Sequence, residues 1–178
     1  FKEGIHPAVR ALLWQQYRDL SQEARMLSDL MSQKAAFAGE QIGLALDAIE
    51  KEMEGPVEPR ELPFFDSRSL KGEQRAFEGL QSELVLLNQW TGRLIALRKE
   101  LVATEMRMRE KNALFKRLSQ LGDRAFPVRK EKLEEISSRF LQVVNRFVEQ
   151  VEGSDAPFYV LKNEIKALQS FAKEITLS

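Results

Sequence analysis

EGPVEPRELPFFDSRS, residues 54–69, divides two long stretches of helical periodicity, so its reading decides how the chain must fold. Gly55-Pro56 ends a helix, and the charge and proline around it mark a connector. Yet the connector carries Leu62, Phe64 and Phe65, large apolar side chains where solvated residues are usual. They either plug the end of a bundle or form an exposed tip for a protein partner. Leu62, Pro63, Phe64 and Phe65 are therefore the candidate protein-binding residues. The plug is the favoured reading, because clusters of exposed aromatics are uncommon.

Upstream, His6-Pro7 opens a helix, since proline at the first helical position loses no needed N–H. Leu13, Tyr17, Leu20, Ala24, Leu27 and Met31 then alternate steps of four and three, the pattern of one buried face. After an extra step of four, Ala35, Ala38, Ile42, Ala45 and Ile49 resume it, a stutter that locally unwinds a supercoil without ending the helix. The rod is roughly 70 Å long at about 1.5 Å per residue. Gly39 and Gly43, one turn apart within it, allow close approach of a neighbouring helix, in the same chain or in a second copy.

Downstream, a second helix is expected from Ser69 or Leu70 to a glycine stop at Leu121-Gly122. Its face reads Phe77, Leu80, Leu84 and Leu87, slips register at Trp90, and continues through Leu94, Leu97 and Leu101 to Leu118. Phe126-Pro127 opens a third helix, GSDAP at 153–157 interrupts it, and Phe158, Leu161, Ile165, Leu168, Ala172 and Ile175 pattern a fourth. No stretch alternates with period two, so no sheet is expected.

The fold class is thus all-α, an elongated antiparallel helical bundle: a long hairpin plus a third helix kinked or broken near Pro157. The alternative keeps two long helices and folds a short helix pair back as a partial four-helix bundle. LVLLNQW, residues 84–90, is apolar on more than one face and needs more than one neighbour, which favours the first form.

The chemical inventory is thin. His6 is the single histidine and cysteine is absent, which removes histidine-based triads, thiolate chemistry and the usual metal-ligand sets. No phosphate-binding glycine loop or calcium loop occurs. No catalytic, cofactor or metal residue is expected, and the chain is expected not to be an enzyme. Lysine plus arginine balance aspartate plus glutamate at 27 each, so no global field draws nucleic acid or an anionic surface. Locally, residues 40–61 are acidic and 98–117 basic. Interspersed acids and missing stacking aromatics argue against nucleic acid in the basic stretch, and opposite signs favour end-to-end association.

No apolar run reaches the roughly 20 residues that span a bilayer, and no signal peptide is evident. With the lack of cysteine, this favours a cytoplasmic or cytosol-facing location. The chain starts at Phe1 and reads as a single elongated helical domain, 1–178, cut from a longer protein. The expected function is a non-enzymatic protein-interaction or scaffold domain with protein partners, homodimerisation among them. The alternative is the cytosolic-facing domain of a membrane-anchored protein, attached through a flanking segment. In general style, with no motif carrying it, the chain is similar to helical domains of bacterial secreted effectors and inclusion-membrane proteins and to eukaryotic scaffold coiled coils.

Overall fold

A computed structural model describes residues 6–58, 61–152 and 157–177. Helix α1 (Pro7–Met53) starts as its sequence dictates: Pro7 takes the first position and the Ala8 N–H donates to Nδ1 of His6 at 3.3 Å. It runs unbroken through Gly39 and Gly43. A connector follows to Glu73, with Gly72 at φ +87°, a conformation that favours glycine, just before α2 (Gln74–Ala103). Helices α3 (Met108–Glu152) and α4 (Phe158–Glu174) complete the order. Among the described residues there is no strand, and the four helices form an all-α bundle.

The second turn falls far from the expected glycine stop. α2 ends at Ala103, where Thr104 turns extended with ψ 127° and its hydroxyl donates to the Glu100 carbonyl at 2.8 Å. The Lys111 ammonium then reaches back to the carbonyls of Val102 (3.0 Å) and Thr104 (2.8 Å). Those bonds satisfy carbonyls that a helix end leaves orphaned, so no glycine is required. Gly122 is instead buried inside α3, where an added Cβ would stand 3.2 Å from the Phe126 ring. Pro127 also lies within α3. It and Asp123 are exposed, so the Asp123 carbonyl, which proline cannot serve, is open to water.

α2 and α3 form the antiparallel hairpin at the centre of the molecule. Glu73 at the start of α2 binds both Arg139 and Arg146 of α3 at 2.9 Å. Further along, Arg129 Nε donates to Asn88 Oδ1 at 2.6 Å and Lys132 meets Glu83 at 2.9 Å. The α2 seam runs Phe77, Leu80, Leu84, Leu87, Thr91, Leu94 and Leu101, all buried. No register slip occurs at Trp90: Thr91 holds the seam position and returns its hydroxyl proton to the Leu87 carbonyl, while Trp90 leans toward α1.

Two cores line this hairpin. Near its tip, Ile42, Leu46 and Ile49 of α1 pack on Leu87, Trp90, Leu94 and Leu101 of α2 and on Leu118, Leu121 and Ala125 of α3. Toward its open end, α4 and the connector replace α1: Leu168, Phe171 and Ile175 join Leu62, Leu70, Phe77, Leu80, Leu84, Ile136 and Val143. Phe171 is the hub, with ring centroids 5.4 Å from Phe65, 5.1 Å from Phe77 and 6.1 Å from Phe140. α4 therefore folds back beside α3 rather than continuing its direction past Pro157. The LVLLNQW segment does have several neighbours, because it lies where α1 gives way to the connector and α4.

Candidate functional site

The LPFF segment divides between core and surface. Leu62 is 8% exposed and Phe65 half-buried against Phe171, so these two close the open end of the hairpin as a plug. Pro63 is exposed, with its carbonyl accepting from Gln74 Nε2 at 2.9 Å. Phe64 stands at 82% exposure. The clasp beneath is polar: Glu164 of α4 accepts from the Ser67 hydroxyl at 2.5 Å and from the backbone N–H of Ser69 at 2.8 Å and Arg68 at 3.3 Å. Burial pushes the Glu164 carboxyl up, but these donors outweigh it and hold it below its ordinary value.

A larger apolar surface lies at the other end of the molecule. The tip of the α2–α3 hairpin meets α1 at Gly39, where an added Cβ would stand 3.8 Å from the Met106 methyl, and borders an open groove along Ala24 to Ala36; among the described residues nothing approaches Gly43 within 4 Å. Neither glycine is needed for a close helix contact. N-terminal to that point no described residue buries α1: every residue from His6 to Lys34 is exposed except Ser21, which is intermediate. The stripe of Leu13, Tyr17, Leu20, Leu27 and Met31, expected to be buried, is 49–66% exposed. The physical reason is length. α2 has 30 residues against the 47 of α1, and α1 lies beside only its tip-proximal half.

Leu12, Trp14, Met26, Leu30 and Phe37 widen this surface, all at least 57% exposed. Trp14 and Tyr17 pack edge to face at 5.7 Å, which orders two aromatic rings on the open helix. Monomeric proteins rarely leave so continuous an apolar stripe in water. The periodicity that marks it was visible in the sequence; its lack of a neighbour was not.

Part of the charge is paired within the chain. Arg117 of α3 pairs with Asp47 and, at 3.5 Å, with Glu50, and Arg124 comes within 3.9 Å of Glu50. The hydrogen bond it donates to Asp47 raises the Arg117 guanidinium above its ordinary value. Glu52 accepts from the Trp90 indole at 3.2 Å and pairs with Arg93 at 2.6 Å, and the Arg93 bond is the main cause of its lowered carboxyl. The acidic stretch of α1 is thus met by Arg93, Arg117 and Arg124, of which only Arg117 belongs to the basic stretch.

A second apolar groove, of about 590 Å³, lies between α3 and α4, lined by Phe147, Val151, Phe158, Leu161 and Ile165 with Lys162 and Lys166 at its edge. Among the described residues no group of three or more His, Asp or Glu side chains stands together as a metal site. No helix there is long and apolar enough to cross a membrane. No family model matches the chain, and no curated protein or solved structure matches it either.

Proposed function

We propose that the chain is a non-enzymatic protein-interaction domain, in which the α2–α3 hairpin with α4 forms a rigid head and the N-terminal half of α1 is an arm for helical partners. The exposed stripe from Leu12 to Phe37 carries this reading. Burying apolar area of this kind is worth about 25 cal/mol per Å², and an amphipathic helix gains it by lying in the groove of another helix. The head anchors the arm by holding Ile42, Leu46 and Ile49 of the same helix in its core.

Leu20→Glu combined with Leu27→Glu puts charge on the arm without touching the head. Proteins held by the tagged chain in its source cell, a second differently tagged copy included, are compared with those held by this variant. The reading expects arm-dependent losses. Identical capture by both chains refutes it.

A further inference from the structure

The open stretch of α1, Pro7 to Phe37, is about 45 Å long at roughly 1.5 Å per residue. At about 100° per residue, Leu12 and Leu30 lie about 80° to one side of Leu20 and Tyr17 about 60° to the other, a stripe as wide as a core-facing helix shows. Half the surface of a rod about 45 Å long and roughly 11 Å across is about 780 Å², close to the roughly 800 Å² per partner of a standard interface. One helix of equal length therefore supplies the area a stable pair needs.

Resting on the reading of this arm as a docking face, we infer that its occupant is the same arm of a second copy, running antiparallel about a two-fold axis near Gln22. Parallel pairing is blocked, because beyond Gly39 the same face of α1 is filled by its own α2–α3 hairpin. Antiparallel pairing meets no such obstacle. Each arm spans the open stretch of the other and ends at the other's hairpin tip, with Pro7 opposite Phe37.

In that register Leu13 faces Met31 of the second copy, Tyr17 faces Leu27, and Leu20 faces Ala24. A large residue against alanine at the centre lets the two helices approach closely, as knobs-into-holes packing requires. Where the arm meets its own hairpin tip there is a groove of about 810 Å³, floored by Ala24, Leu27, Met31 and Met106 and edged by Glu105 and Glu110 against Arg107. The second copy's Leu13 enters this groove opposite Met31.

Sedimentation equilibrium of the intact chain at micromolar concentration tests the pairing. The expected mass is twice the 20.5 kDa of one chain. Leu20→Glu with Leu27→Glu weakens association about 100-fold or more, while thermal unfolding of the head stays unchanged. The chain has no cysteine of its own, so mixing Leu20→Cys chains with Ala24→Cys chains reads the register directly. A disulfide joining the two variants is expected. Dominant Leu20→Cys homodisulfides mean parallel arms and overturn the inference. A monomeric wild-type chain also overturns it, while leaving the docking reading to its own capture experiment.

Discussion

Leu20 and Ile49 occupy nearly the same angular position on α1, about 20° apart around its axis, yet Leu20 is 66% exposed and Ile49 fully buried. Both belong to the same three-four rhythm in one uninterrupted helix. The difference lies in the neighbour. Ile49 meets Leu94 and Leu121 in the core near the hairpin tip, whereas the hairpin ends before Leu20. Hydrophobic periodicity therefore reports which face of a helix is meant for burial, and is silent on whether the same chain buries it.

The comparison breaks hardest in the head. Leu46→Ala, at a fully buried position, removes packing and leaves a cavity, so a loss of roughly 2–5 kcal/mol is expected in urea unfolding. A smaller loss would mean that α1 contributes little to the head.

Acid is the next lever. Glu73 is held below its ordinary value of 4.5, chiefly by hydrogen bonds from Arg146 and Arg139, and Glu164 is lowered in the same direction. A carboxyl depressed in the folded state stabilises it above the unfolded value and loses that contribution as pH falls through the folded one. Head stability should therefore decline below about pH 4.5, and Glu73→Gln should flatten the decline. An unchanged pH profile in that variant would remove Glu73 from the account.

Gln81 offers a gain. The residue is 3% exposed and its Nε2 has no hydrogen-bond partner among the described residues, so Gln81→Met should raise stability by about 1 kcal/mol in the same assay. The smallest effect belongs to the arm: Leu20→Ala should change monomer stability by no more than about 0.5 kcal/mol. Hydrogen exchange sharpens this contrast. In the monomer, amides around Leu20 should exchange far faster than those around Leu87, because local opening there breaks no tertiary contact.

Helix existence was legible throughout, and the start of α1 at Pro7 followed from proline chemistry alone. The hairpin tip was not legible. Thr104 to Arg107 contains neither glycine nor proline, and what ends α2 there is a lysine nine residues beyond Val102 reaching back to its carbonyl. Gly122 and Pro127 gave the opposite signal, but both are accommodated inside α3, one beneath a phenylalanine ring and the other on a hydrated face. Of the four LPFF residues, Leu62 and Phe65 are covered by the core in which Phe171 arrives, and no local pattern encodes that.

By itself the sequence determined that the chain is all-α, which faces of its helices are apolar, and that it brings one histidine and no cysteine to any site. Those follow from residue type and spacing, which act within a few residues. Only the tertiary structure decided that α4 turns back to fill one end of the hairpin and that, among the described residues, nothing buries the N-terminal half of α1. Both outcomes depend on the relative lengths of helices distant in sequence, set by a turn that polar side chains close and no local breaker announces.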